Sequence, residues 1–304
     1  MSAIIIDGKA ISLKVREEMK RRSNALKLQG IIPCLAVILV GEDPASLSYV
    51  TAKEKALAET EMASRDFRLP ASTTEAELLA LISRLNADAS VHGILVQLPL
   101  PAHISEERVI TAIDPLKDVD GFHPVSVGNM VLGRPGFLPC TPHGVLVLLR
   151  ELRIPTAGAH AVVLGRSNIV GKPLANLLAR RDVNATVTIC HTGTKDLSAI
   201  TRQADILIAA VGRAGLVTAD MVKEGAAVID VGVNRVTDPS AKKGYRLRGD
   251  VDYEAVAEKA AWITPVPGGV GPMTIAMLLQ NVVEAAERFA ESSGRFAGSA
   301  EFSC

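Results

Sequence analysis

Residues Val162-Val163-Leu164-Gly165-Arg166-Ser167-Asn168-Ile169-Val170-Gly171-Lys172-Pro173 pass from an apolar run through a turn bounded by glycines into a second periodic segment. Ala161 to Leu164 is too short for a helix and too apolar for an exposed loop, so it reads as a buried parallel strand. Gly165 permits a sharp turn, and Gly171 lets the next helix lie close to the sheet. Free N–H groups at that helix start, together with the positive end of its dipole, would face an anion above the strand, and a pyrophosphate fits there. The spacing is G-x-x-x-x-x-G, not G-x-G-x-x-G, so a plain strand-to-helix turn without ligand stays open.

The next apolar strand, Ala185 to Cys190, ends at His191-Thr192-Gly193-Thr194-Lys195. An NAD-preferring site usually carries an acidic residue there for the ribose hydroxyls, whereas the first carboxylate here is Asp196. Arg166, Thr192, Thr194 and Lys195 could instead surround an additional phosphate, which favours NADP; Lys195 reads equally well as a solvated loop lysine. Two further strand-like runs, Ile206 to Val211 and Ala227 to Val231, end in Gly212-Arg213 and Gly232-Val233-Asn234, at the edge where open α/β sheets bind ligands.

A chain of 304 residues with 48% hydrophobic content has core enough for two domains. Lys plus Arg and Asp plus Glu number 33 each, so net charge favours neither nucleic acid nor an acidic membrane as partner. Cys34, Cys140, Cys190 and Cys304 are scattered without a C-x-x-C pair, and no secretory signal precedes Ile4, which leads us to expect reduced thiols in the cytoplasm. No apolar run approaches the roughly 20 residues that span a bilayer. The histidines form no H-E-x-x-H cluster, so no metal is expected.

The pattern predicts an α/β protein of two domains. Residues 1–145 form an α/β catalytic domain, 146–270 a Rossmann-like parallel-sheet dinucleotide-binding domain, and 271–304 a helix returning to the first domain, followed by a mobile Gly/Ser/Ala-rich tail from Ser292. Expected elements of the first domain are helices at Lys9–Leu28, from Pro44 and at Glu75–Leu85, and strands at Leu35–Val40 and Gly93–Val96. Thr141 fits the N-cap, and Pro142 the first residue, of a helix ending near Leu152; the last helix is expected over Met273–Glu291.

The first domain is polar where a scaffold need not be. Asp43-Pro44 opens a helix on which Tyr49 and Lys53 project from one face, where a phenol and an ammonium could meet one substrate; an ordinary exposed pair is the alternative. Gly93-Ile94-Leu95-Val96 runs into Gln97-Leu98-Pro99-Leu100-Pro101, which puts an amide at the end of a buried strand. A satisfied core glutamine would look the same. Lys117-Asp118-Val119-Asp120-Gly121 offers two carboxylates in a turn, to bind amino groups or, for Asp118 above all, to cap backbone.

In order along nearly the whole chain, these segments resemble the bifunctional methylenetetrahydrofolate dehydrogenase/cyclohydrolases. The resemblance is carried by Ile6-Asp7-Gly8-Lys9, Tyr49-Val50-x-x-Lys53, Val96 to Pro101, Lys117 to Gly121, Pro139-Cys140-Thr141-Pro142, Gly165 to Pro173, and Thr264-Pro265-Val266-Pro267-Gly268-Gly269-Val270-Gly271-Pro272-Met273-Thr274. It implies two reactions in one cleft: methylene-tetrahydrofolate gives hydride to NADP, and water opens the resulting methenyl cation to 10-formyl-tetrahydrofolate. Lys53 matches the family's catalytic lysine, whose pKa a neighbouring cation would lower. Gln97 would orient it, Tyr49 would border the pterin, and Asp120 would accept hydrogen bonds from the pterin amino and ring N–H groups. Val96, Leu98 and the backbone of Pro267, Gly268, Gly269, Val270 and Gly271 complete the implied folate contacts. Thr141, Gly165, Arg166, Ser167, Ile169, Thr192 and Val233 are the implied cofactor contacts. Thr192 stands where the family often has serine and Val233 where isoleucine is common. The resemblance also implies a homodimer formed through the dinucleotide domain.

Two other classes compete. A shikimate-type or amino-acid-type NADP dehydrogenase would share the domain plan and bind no folate. A cofactor-binding regulator would have no use for Lys53.

Overall fold

The computed structural model describes residues 3–241 and 244–294; Cys304 and most of the tail expected to be mobile lie outside them. In chain order its strands are β1 (Ile4–Ile5), β2 (Cys34–Val40), β3 (Ala63–Leu69), β4 (Gly93–Val96), β5 (His160–Leu164), β6 (Thr186–Cys190), β7 (Ile206–Ala209), β8 (Ala227–Asp230), β9 (Asn234–Thr237), β10 (Tyr245–Arg248) and β11 (Trp262–Ile263). The helices are α1 (Gly8–Lys27), α2 (Pro44–Glu59), α3 (Glu75–Ala87), α4 (Glu106–Ala112), α5 (Pro124–Leu132), α6 (Cys140–Glu151), α7 (Gly171–Leu178), α8 (Leu197–Thr201), α9 (Tyr253–Ala257) and α10 (Val270–Ser292). Among the described residues, 3–14 with 127–277 form one compact unit and 15–126 with 278–294 another.

The first of these units holds a six-stranded sheet ordered β1-β11-β8-β7-β5-β6, with every pair parallel. Strands covered on both faces read as continuous apolar runs, and Val162, Leu164, Leu207, Val228 and Ile263 accordingly share one buried cluster. The chain goes from β5 outward to β6 and then back to β7 on the other side of β5, so the strand order reverses between β5 and β7. This unit begins earlier than the boundary expected near residue 145. The reason is that β1 pairs with β11, Ile4 opposite Trp262, and α6 packs so closely on the start of α10 that a Cβ on Gly144 would crowd Met273.

The second unit is built on a parallel sheet, β3-β2-β4, whose central β2 is buried along its whole length. Thr74 and Glu77 form a capping box at the start of α3, which buries Leu78, Leu81, Ile82 and Leu85 at helical spacing. They join Ala36, Ile38, Ile94 and Val96 in the core.

Two helix starts differ from the sequence reading. The helix α6 begins at Cys140 with Pro139 as N-cap, so Thr141 is not the cap and Pro142 not the first residue. The helix α10 begins at Val270, which moves Val270 and Gly271 out of the glycine-rich turn and into a first helical turn. Among the described residues no helix is long and apolar enough to cross a membrane, and Cys34, Cys140 and Cys190 are buried and in no disulfide.

Candidate active site

The carboxylate of Asp43 accepts the Ser46 N–H at 2.8 Å, so α2 starts where the Asp-Pro pair dictates. Tyr49 and Lys53 then sit one turn apart. Tyr49 is 37% exposed, its phenol pushed up in pKa by burial, while Lys53 is only 7% exposed. A buried ammonium needs a partner, and Lys53 Nζ donates to Gln97 Oε1 at 3.0 Å. The reading of Tyr49 and Lys53 as an ordinary exposed pair therefore fails for the lysine.

Gln97 is held at both ends. Its backbone N–H donates to Ile38 O at 2.8 Å, extending the β2–β4 ladder one residue past Val96. Its Nε2 donates to Leu98 O at 2.7 Å, which aims Oε1 at the lysine. The 117–121 turn lies beside the same strand, Ile94 N donating to Lys117 O at 2.8 Å. Asp118 caps backbone as its capping reading expects: it accepts from Phe122 N at 3.2 Å and His123 N at 2.8 Å, and burial raises its carboxyl to about 6. Lys117 is structural, its ammonium donating to the carbonyls of Leu85, Asn86 and Asp88 at the end of α3. Asp120 lies partly exposed beyond them, and Asn281 Nδ2 donates to Val119 O at 2.7 Å.

In the other unit, Gly165 lies at the strand-order reversal with φ of +115°, and a Cβ there would collide with Ala210 O at the end of β7. Only glycine serves both demands. Arg166, Ser167 and Ile169 follow on an exposed turn, with Thr192 exposed after β6 and Val233 exposed after β8. The N–H groups at the start of α7 are not free, which corrects the expectation. Val170 and Gly171 donate to Ser167 Oγ at 3.2 and 3.3 Å, and Lys172 donates to Ser167 O at 3.1 Å. Gly171 brings the start of α7 close against the end of β5, where a Cβ would collide with the Gly165 carbonyl. What this edge offers an anion is therefore the exposed cation Arg166, the Thr192 hydroxyl and Lys195, a set that fits an additional phosphate. Thr194 is spent on the turn itself, accepting the His191 N–H at 2.9 Å.

Residues 139–290 match the tetrahydrofolate dehydrogenase/cyclohydrolase NAD(P)-binding domain, and residues 6–120 match the catalytic domain of the same enzymes. The chain belongs to the tetrahydrofolate dehydrogenase/cyclohydrolase family. It is 61% identical over 285 residues to the bifunctional protein FolD of Exiguobacterium sibiricum, covering 94% of this chain and 100% of that one. The crystal structure of the bifunctional FolD enzyme of Campylobacter jejuni superposes with a TM-score of 0.90 at 53% identity, covering 94% of this chain and 99% of that one. The Trypanosoma brucei enzyme, solved with NADP cofactor and an inhibitor, gives 0.91 at 41% identity, with coverage of 95% and 98%.

The remaining residues singled out from the family resemblance have plainer duties as well. Gly268, at φ of +112°, accepts the Lys9 N–H at 3.0 Å through its carbonyl, and a Cβ on Gly8 would collide with Gly269 O. These glycines thus first let two stretches of the chain pass each other. Thr141 Oγ1 shares a hydrogen bond with Thr274 Oγ1 at 2.9 Å. Sequence reasoning missed Asp230 and Asp250, two buried carboxylates under the loops that follow β7 and β8. The only signal was an aspartate closing each of two short strings, Val228-Ile229-Asp230 and Arg248-Gly249-Asp250.

Proposed function

We propose that this chain oxidises 5,10-methylene-tetrahydrofolate to the methenyl compound with NADP and hydrolyses that product to 10-formyl-tetrahydrofolate. Membership of the family supports the pair of activities, and the buried Lys53 amine donating to Gln97 Oε1 at 3.0 Å is the observation that carries the hydrolysis. When bound, NADP supplies the hydride acceptor. The chain's part in that step is placement, which alone lowers a barrier substantially.

Hydrolysis asks more of the protein. Water adds to the cationic methenyl carbon and loses a proton; one carbon–nitrogen bond then breaks as that nitrogen gains a proton, and the remaining hydroxyl releases its proton to solvent to become the formyl carbonyl, so that one proton leaves overall. Lys53, in its amine form, takes the proton from the attacking water and can return it to the leaving nitrogen. Gln97 keeps the amine aimed, because its own Nε2 is committed to Leu98 O. In this reading Tyr49 borders the pterin, Val96 and Leu98 flank it, and Asp120 accepts hydrogen bonds from its amino and ring N–H groups. Pro267 to Gly271 bring backbone to the folate. Gly165, Arg166, Ser167, Ile169, Thr141, Thr192 and Val233 hold NADP, with Arg166 on the additional phosphate. We further propose a cytoplasmic homodimer, sedimenting at twice the 32.1 kDa chain mass.

The test is optical. Purified chain with methylene-tetrahydrofolate and NADP should produce methenyl absorbance and reduced nucleotide, and should consume added methenyl-tetrahydrofolate without nucleotide. Absence of both overturns the reading.

A further inference from the structure

The loops after β7 and β8 converge on one carboxylate. Asp250 Oδ2 accepts from Val211 N at 2.7 Å and Gly212 N at 2.9 Å, while Oδ1 accepts from Arg213 N at 2.8 Å and Asn234 Nδ2 at 2.9 Å. Those four bonds fill the acceptor sites of a carboxylate, so Asp250 is fully engaged by the chain itself. It is held in turn from behind. The N–H groups of Asp250, Val251 and Gly232 each donate to the Asp230 carboxylate at 2.9 Å, and Asp230 N donates to Thr264 Oγ1 at 2.7 Å. Asp250 is 0% and Asp230 3% exposed. Gly232 and Gly249 make room for them, since a Cβ on either would collide with the Asp250 or Asp230 carboxylate respectively.

Two carboxylates are costly to bury, and five of the seven hydrogen bonds they accept, from Val211, Gly212, Arg213, Gly232 and Asn234, come from the chain that follows β7 and β8 at the carboxyl edge of the central strands. Those loops present Val211 and Val233, 36% and 43% exposed, beside the strand-order reversal where an open α/β sheet binds its dinucleotide. We infer that Asp250 is a positioning residue for hydride transfer: by tying residues 211–213 to Asn234 it fixes the spacing of Val211 and Val233, and through them the seat of the cofactor. Asp230, with Thr264, sets Asp250. This rests on the function proposed above.

In Asp250→Asn, the new NH₂ must face either the Val211 and Gly212 donors, which breaks two of the three bonds to residues 211–213, or those of Arg213 and Asn234, which cuts the tie between the two loops. Asn234→Ala releases only the second loop and leaves three of the Asp250 bonds in place. For both variants and the unsubstituted chain we would measure the KM for NADP, the dehydrogenase kcat, the primary deuterium isotope effect with deuterated methylene-tetrahydrofolate, and nucleotide-free hydrolysis of methenyl-tetrahydrofolate. The expected result for Asp250→Asn is a KM for NADP raised about tenfold or more and a larger isotope effect, with hydrolysis within about twofold. Asn234→Ala should show the same pattern more weakly, and it decides the matter alone if Asp250→Asn does not fold. Two activities that fall in proportion, with KM and isotope effect unchanged, would mean a purely structural role and overturn the inference. An unsubstituted chain lacking both activities overturns the proposed function first, and this inference with it.

Discussion

Arg166 is an exposed side chain on the turn after β5, and no carboxylate stands between Cys190 and Asp196 to claim the ribose hydroxyls of NAD. An arginine–phosphate contact retains a few kcal/mol after desolvation, so Arg166→Ala should raise the KM for NADP about ten- to a hundredfold and that for NAD much less. Equal losses for the two nucleotides would show that Arg166 does not read the additional phosphate. Lys53 divides the two chemistries in another way. Lys53→Met keeps the apolar stem and removes the amine, and hydrolysis should drop at least about a hundredfold, the scale of a lost general acid or base. Dehydrogenase activity should fall by less, since hydride departure needs placement only. Paired initial rates on one folded preparation decide it, and an unchanged hydrolysis rate would remove Lys53 from the mechanism.

At the scale of elements, the site residues are delivered by helix and strand ends. Asp43 starts α2 and so sets where Tyr49 and Lys53 fall; Asp43→Ala should lower stability by about 0.5–2 kcal/mol in a urea titration, the usual loss for an N-cap. Because the frayed turn lies just ahead of Tyr49, hydrolysis should weaken in the same variant beyond what the small unfolded fraction explains. Full hydrolytic activity in it would mean that α2 is positioned by its packing and not by its cap. This helix start was legible from Asp43-Pro44 alone, and the buried strands were legible as uninterrupted apolar runs. The polar β3 was not, because Ala63 to Leu69 is an edge strand whose exposed positions carry charge and erase the pattern.

Across the whole molecule, four titratable groups with shifted pKa values oppose one another in acid. Burial holds His92 and His143 down to about 4, with Lys117 adding to the effect at His92 and Arg150 at His143. The unfolded chain takes up these protons near pH 6.5 and the native chain does not, so this stability is complete above 6.5 and is lost as pH falls toward 4. Asp118 and Asp230, both raised by burial to about 6, act in the other direction, since the native chain binds their protons first. Acid sensitivity between about 6 and 4 is therefore muted until one partner is removed. His92→Asn keeps an acceptor for the Cys34 N–H, which His92 Nδ1 now takes at 3.2 Å. Its stability deficit against the unsubstituted chain, measured by urea unfolding, should shrink by about 2 kcal/mol between pH 7 and pH 5. A deficit independent of pH would mean that His92 charges freely in the native state.

Local order alone determined the parallel strands, the glycine turn at Gly165, the cap at Asp43 and the short strings that carry the family resemblance. Each is a property of neighbouring residues: apolar continuity, a backbone angle, a side chain reaching its own helix. The tertiary structure decided the rest. Lys53 and Gln97 lie 44 positions apart, and only the placing of α2 against the end of β4 makes the lysine a buried donor to a fixed amide. Ile4 and Ile5 are too short a strand to read, and β11 alone gives them a sheet. Asp230 and Asp250 look like surface carboxylates in the sequence. They are buried because N–H groups from remote loops fill their acceptor sites, and no pattern within a few residues records which distant donors will arrive.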